Sequence, residues 1–326
     1  MIGVRIRGTG SALPDRVVTT DQVIAEAMPD RDAAAVRTAL GIDTRRWLRP
    51  GETSADLATR AIQAALDDAG LPASALRRLI YVDSSGGDQV CPPTSNDVLL
   101  RLGVHNTCGC FDLNNACVGF VSGLDLAARL VGTGEGPVAV VASETFRRYL
   151  HADLEPRTYV VFGEAAAAAI LEPASDGAAL LGADFGNDGR DRDAVTLPFS
   201  AHTRQREAVR FGLSARELTG RAVDNVVRTC SAVTEQAGVS IDDVDWVLLH
   251  QANGSIMDAF LKALDIPESR SIRVVRELGS LGAAGVAVAL DRLLRTRPVK
   301  EGDLVLIASV GAGAARGAVL FRMGER

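Results

Sequence analysis

Apolar residues along the chain follow two periods in turn. SADLATRAIQAALDDAGL (54–71) repeats them at helical spacing, opens on a serine suited to capping and stops at Gly70, which predicts an amphipathic helix. Short β-branched runs lie between such stretches. LRRLIYVDSS (76–85), PVAVVAS (137–143), AAAAAILE (165–172), VDWVLLHQA (244–252) and GDLVLIASVG (302–311) predict strands. Their nearly continuous apolar character marks strands buried on both faces, and their alternation with helices predicts an α/β fold.

The pattern also repeats. AGLPASALRRLIYV (69–82) lines up with AGVSIDDVDWVLLH (237–250): helix end, turn, polar lead-in, buried strand. CVGFVSGLDLAARL (117–130) lines up with SLGAAGVAVALDRL (280–293), each a glycine-rich helix leading to a strand. Two agreements in the same order predict a duplicated unit. One half would cover residues 1–173 and carry the cysteine of CVGF; the other would cover 174–326 and carry a histidine and a glycine-rich turn. Between them, the polar, irregular region 172–210, with GNDGRDRDAVTLP and AHTRQRE, reads as either a segment covering the active site or a surface excursion, and its length favours the first.

Composition narrows the class. With 326 residues, 47% hydrophobic and 23% charged, the chain has material for one large core or two ordinary ones. A formal net charge of -6 argues against general nucleic-acid binding, which needs a basic face. MIGVRIRGTGSALP has no signal-peptide pattern and no uncharged apolar run is long enough to span a bilayer, so a cytoplasmic chain without membrane association is expected. Five cysteines are an odd number, and Cys108 and Cys110 lack a second pair, so neither a disulfide framework nor a metal site is expected.

Three features carry chemistry. In DLNNACVGF (112–120) a cysteine stands where a strand turns into a helix, near the positive end of a helix dipole, which favours a thiol of lowered pKa. LLHQAN (248–253) places His250 just past a buried strand, followed by polar residues that can open a cleft. SVGAGAARG (309–317) can aim backbone N–H groups at a developing oxyanion. The internal repeat brings the strand ends and both glycine-rich helix starts around one pseudo-twofold axis, so Cys117, His250 and residues 279–282 should converge.

DLNNACVGF, LLHQAN, VFGEAAAAAI (161–170) and GDLVLIASVGAG (302–313), in this order and with GIDTRRW (41–47) ahead of them, resemble the 3-oxoacyl-[acyl-carrier-protein] synthase III group of the thiolase superfamily. The resemblance covers essentially the whole chain. It implies a five-layered αβαβα fold of two similar halves, a homodimer, and a cysteine acylated from coenzyme A or a carrier protein, with no further cofactor. By the same resemblance Cys117 is the acylated nucleophile and His250 the base or hydrogen-bond donor. The N–H groups of Cys117 and of Gly311, Ala312 and Gly313 would form the oxyanion hole, and Asn253, Asn115, Arg37 and Arg46 would contact substrate.

Departures from the family pattern shape the functional expectation. Where the condensing members have an asparagine in G-N-T-S, LGSLGAAG (278–285) places Ser280, the repeat partner of Cys117. A serine hydroxyl reaches less far than a carboxamide, and loss of one oxyanion donor typically costs about 10² to 10³ in rate. The family's tryptophan before the GI..R segment is absent, with RDAAAVRTALGI (31–42) in its place, which favours a carrier-protein donor over coenzyme A. Asn114 and Asn115 stand where small residues are usual. The expected function is therefore an acyltransferase of secondary metabolism that moves an acyl group through a Cys117 thioester to a hydroxyl or amine acceptor, such as a sugar or natural-product scaffold. The alternative is decarboxylative condensation of an acyl starter with a malonyl thioester; a non-catalytic partner subunit would not need both Cys117 and His250. An acidic carrier protein would need a basic rim, for which Arg37, Arg45, Arg46, Arg204, Arg206, Arg210 and Lys262 are the candidates.

Overall fold

Strand β1 (Ile2–Ala12) is long enough to serve two sheets. In the computed structural model, which describes residues 1–198 and 207–325, Ile2 and Gly3 pair with β8 (Ala179–Gly186), whereas Val4 to Ala12 pair antiparallel with β7 (Ala165–Pro173). From β7 the first sheet continues through β6 (Val138–Glu144) and β4 (Arg78–Val82) to β5 (Gly109–Leu113) at its edge. From β8 the second runs through β13 (Ala315–Arg322) and β12 (Leu304–Gly311) to β11 (Trp246–Leu249).

Helices α5 (Gly119–Gly132) and α10 (Ala284–Thr296) lie between the sheets and touch both. Every residue of α10 from Ala284 to Asp291 is buried, because a helix this apolar must be covered on all sides. On the outside, α3 (Ser54–Ala69) covers the first sheet with α4 (Thr94–Arg101) beside it. The second sheet is covered by α7 (Ala215–Ala237), against which α8 (Gly254–Ala263) packs. The result is the expected five-layered αβαβα arrangement. Its central core joins Leu124, Val140, Val286, Leu290, Ile307 and Phe321.

A smaller lobe closes one end. It contains α1 (Thr20–Ala27), α2 (Ala33–Leu40), the ribbon of β2 (Arg16–Thr19) with β3 (Thr44–Trp47), and α6 (Pro156–Tyr159). Trp47, Tyr159 and Phe162 are buried in it, and the Arg147 guanidinium lies 5.0 Å and 4.8 Å from the Trp47 and Tyr159 ring centres. A second ribbon, β9 (Val195–Thr196) with β10 (Arg210–Phe211), comes from the polar region between the halves, and α9 (Val275–Leu278) precedes the Ser280 segment.

Local sequence explains most of these elements. All seven residues of β6 are buried, the apolar run Val138–Ala142 together with Ser143 and Glu144 that follow it, and the alanine run of β7 forms an equally buried stretch. One detail corrects the sequence reading: Thr53, not Ser54, caps α3. The Thr53 hydroxyl accepts from the Asp56 N–H at 3.1 Å and the Asp56 carboxylate accepts the Thr53 N–H at 2.9 Å. Ser54 is instead drawn inward, its hydroxyl 2.7 Å from the Tyr81 hydroxyl. All five cysteines are free thiols. Among the described residues no helix is long and apolar enough to cross a membrane, and no group of His, Cys, Asp or Glu is placed to hold a metal ion.

One buried carboxylate joins α10 to the shared strand. Asp291 accepts from the Thr9 hydroxyl at 2.9 Å, the Ser11 hydroxyl at 2.7 Å and Arg295 Nε at 2.8 Å. Asp291→Ala removes all three acceptor contacts and leaves the β1 hydroxyls without a partner. It is expected to lower stability by about 3 kcal/mol, measured by urea unfolding, because breaking a buried polar network costs roughly that much.

Candidate active site

The turn that carries Cys117 is tightly specified. After β5, Asn114 Oδ1 accepts the Ala116 N–H at 3.0 Å, and Ala116 adopts φ 46°, a left-handed conformation uncommon for alanine and typical of strained functional turns. The Val118 N–H then bonds Asn115 O at 3.1 Å and the Gly119 N–H bonds Ala116 O at 3.0 Å. From the other half, the Ser309 hydroxyl donates to the Cys117 carbonyl at 2.7 Å. Gly311, where β12 ends, lies so close that an added Cβ would be 3.0 Å from the Cys117 nitrogen and 3.1 Å from its Cβ.

Cys117 is half-buried, yet its thiol is pushed up to about 12 from the ordinary 9.0, first by burial and then by the Glu144 carboxylate. This corrects the expectation of a thiol acidified by the helix dipole. The first N–H groups of the turn are already taken by Asn115 and Ala116, and dehydration outweighs what remains of the dipole. A neutral thiol needs a base.

His250 follows β11 directly, its N–H bonded to the Ala308 carbonyl at 2.9 Å. It is buried, and burial pushes the imidazole down to about 4 from 6.5, so it is neutral at physiological pH. Its Nδ1 is buried without a hydrogen-bond partner among the described residues. Gln251 anchors the backbone next to it, donating to Ile272 O at 2.6 Å and accepting from the Val274 and Val275 N–H groups at 2.7 and 3.0 Å. Asn253 caps α8 by accepting from the Ile256 N–H at 2.9 Å.

Ser280 lies across from Cys117 at the start of the other central helix. Its N–H donates to Val161 O and its carbonyl accepts from the Gly163 N–H, both at 2.9 Å. A side chain at position 163 would collide with the Leu278 carbonyl, so glycine is required for this contact. Behind it, the wholly buried Arg45 donates to Val160 O at 2.6 Å. The Ser280 hydroxyl has no hydrogen-bond partner among the described residues.

Cys117, His250 and Ser280 line one pocket of about 430 Å³, together with Asn253, Gly311 and Ala312. The predicted convergence is therefore observed. Gly313 does not line the pocket, whereas Ala314 does, with φ 43°. Apolar walls come from Val36, Leu40, Val161, Leu218 and Ile256, and Asp191, Val195 and Phe211 bring in the polar region between the halves as a cover.

Several expected contacts lie elsewhere. Arg37 pairs with Asp21 at 3.1 Å, because its place on α2 turns it toward α1. Arg46 donates to the carbonyls of Pro14 and Asp15 at 3.3 Å, and Asn115 donates to the Ser122 hydroxyl at 2.9 Å; none of the three lines the pocket. Arg45 is no rim residue, since β3 alternation turns it into the lobe core. Arg210, paired with Glu207 at 2.7 Å, and Lys262 are exposed, while Arg204 and Arg206 lie outside the described residues.

The polar groups that do line the pocket are Arg31, Arg157, Asn225, Thr219 and the ion pair of Asp191 with Arg221. Arg31 sits in the same RDAAAVRTALGI stretch as Arg37. A helix starting at Ala33 with an Asp32 cap puts Val36 and Leu40 on one face, and that periodicity was the available signal for which face meets the pocket.

Comparison with known proteins supplies the context. Residues 111–189 match the family model described as 3-oxoacyl-[acyl-carrier-protein (ACP)] synthase III, and residues 234–323 match that of its C-terminal part. The chain is 35% identical over 324 residues to a beta-ketoacyl-[acyl-carrier-protein] synthase III of Cereibacter sphaeroides, covering 97% of this chain and 98% of the relative. The solved 3-oxoacyl-[acyl-carrier-protein] synthase III of Aquifex aeolicus superposes with a TM-score of 0.90 at 29% identity, over 98% of this chain and 100% of the other. A priming beta-ketosynthase from the R1128 polyketide biosynthetic pathway also superposes at 0.90, with 28% identity over 99% and 96% of the two chains.

The buried imidazole makes stability pH-dependent with a definite sign. Below about 6.5 the unfolded chain protonates His250, whereas the folded chain does not do so until about 4. Its contribution to stability is therefore fully present above 6.5 and is lost as the pH falls through that window, at on the order of 1 kcal/mol per pH unit. His250→Gln should lose less stability than the parent between those pH values, measured as urea midpoints in a pH series.

Proposed function

The chain belongs to the 3-oxoacyl-[acyl-carrier-protein] synthase III family, and from that membership we propose that it forms an acyl thioester on Cys117 and condenses it with a malonyl thioester. The observation that supports this most directly is the sharing of one pocket by Cys117, His250 and Ser280. As Cys117 Sγ attacks the donor carbonyl, the neutral imidazole of His250 takes the thiol proton. The oxyanion forms against the N–H groups at Cys117 and the Gly311 turn, and its collapse releases the donor thiol, which takes the proton back. Loss of carbon dioxide from the malonyl thioester then gives an enolate whose oxygen accepts from the N–H of the neutral His250 imidazole and from the Ser280 hydroxyl; its carbon attacks the Cys117 thioester carbonyl, the C–S bond breaks, and the released Cys117 thiolate takes a proton from water.

A second reading rests on Ser280 itself. Its hydroxyl is shorter than the family's asparagine carboxamide, which weakens enolate binding but leaves acyl transfer intact. His250 would then deprotonate a hydroxyl or amine acceptor that attacks the same thioester. The synthase names carried by the relatives favour condensation, and the substitution at 280 favours transfer.

The donor is a pantetheine thioester. Apolar walls at Val36, Leu40 and Leu218 suit its arm, and exposed Arg31, with no ion-pair partner among the described residues, suits its phosphate. No aromatic ring of α2 is available to stack on an adenine, which favours a carrier-protein donor. A homodimer is proposed at the edge of the first sheet, where β5 has no further strand beside it among the described residues and Val90 and Leu100 are 76% and 61% exposed. Light scattering should give twice the chain mass; a monomer that is nevertheless active would refute the dimer as a requirement.

Intact mass after incubation with acyl thioesters should show one acyl group on the parent and none on Cys117→Ala. Carbon dioxide release from a malonyl thioester decides between the two acceptors. Condensation requires release, and Ser280→Asn should raise it by about tenfold or more. Acylation without any release, in parent and variant alike, would leave transfer to an oxygen or nitrogen acceptor.

A further inference from the structure

Outside the groups assigned to the reaction, one buried carboxylate lies against the centre. Glu144, the last residue of β6, is wholly buried. It accepts from the Ser84 hydroxyl at 2.5 Å, from the Ser84 N–H at 3.2 Å and from the Ala283 N–H at 3.0 Å. Ala283 is the N-cap of α10, three residues after Ser280, and a side chain on Gly282 would come within 3.0 Å of the Glu144 carboxyl carbon. Ser84 in turn accepts from the Asn114 side chain at 3.3 Å, at the start of the turn that holds Cys117. Asn114, Ser84, Glu144 and Ala283 therefore form a continuous polar link between the nucleophile turn and the Ser280 segment, and no basic side chain among the described residues pairs with Glu144.

We propose that Glu144 is a positioning residue for the reaction centre, a buried carboxyl group whose hydrogen bonds to Ser84 and Ala283 tie the Cys117 turn to the Ser280 segment. The titratable groups facing it are Asp83, at the end of β4, and Cys117; the start of α10 presents only a backbone N–H. Burial and then Asp83 push the Glu144 carboxyl well above the usual carboxylate range, so its part in the link is that of a hydrogen-bonded carboxyl group.

The inference rests on Cys117 as nucleophile, but its test needs no acyl donor, so its failure and that of the proposed reaction are distinguishable. The measurement is the rate of iodoacetamide alkylation at Cys117, read by peptide mass. Glu144→Ala, which removes the acceptor oxygens of the link, should change that rate by at least about fivefold, while Cys230, buried against the second sheet, stays as protected as in the parent. Glu144→Gln, whose carboxamide oxygen can still accept from Ser84 and Ala283, should stay within about twofold of the parent. Should Glu144→Ala fail to fold, Ser84→Ala, which removes one donor of the link, should shift the Cys117 rate in the same direction. An unchanged Cys117 rate in the link variants, or a rise at Cys230 equal to that at Cys117, would overturn the proposal.

Discussion

A helix as apolar as α10 has no stable place at a surface, and the architecture follows from that constraint. With α5 it has to be enclosed by two sheets, and enclosing two helices side by side brings their N-terminal ends to the same place. Cys117 precedes one and Ser280 the other. The site is thus a consequence of burying apolar helices, and the backbone contacts at Val161, Gly163 and Gly311 set its fine geometry.

The same burial decides the chemistry. Dehydration disfavours charge on both principal groups, raising the thiol and lowering the imidazole, so the pair rests as neutral thiol and neutral base. Such a pair does not hold a thiolate in reserve. In the reaction proposed for it, the pair gains from proton transfer only when the attacked carbonyl supplies an oxyanion for the surrounding N–H groups to stabilise.

Much of this was legible in the chain. The strand at Leu304–Gly311, the buried alanine strand of β7 and the convergence of Cys117, His250 and Ser280 all follow from period and repeat. β1 and β13 escape the strand pattern because glycines, threonine and arginine interrupt their apolar alternation; their pairing with neighbours on both sides compensates. The direction of the thiol's shift is not legible, since a helix start is visible in sequence but dehydration by distant segments is not. The arginines carry the least positional signal. Arg45 looks like any polar residue of a short ribbon, yet the lobe encloses it, and Arg37 and Arg31 differ only in which side of a two-turn helix they approach.

The double allegiance of β1 has a further consequence for how the chain acquires its shape. Residues 2–12 leave the ribosome long before residues 165–173 and 179–180, to which they must pair. At about 5–20 residues per second, the strand joining the two sheets waits on the order of ten seconds or more without a partner. Its threonine, serine and arginines, which break the apolar pattern, keep that waiting segment wettable and poor at pairing with a neighbouring nascent chain. The interruptions that hide β1 from a strand search are thus what allow a central strand to be made so early.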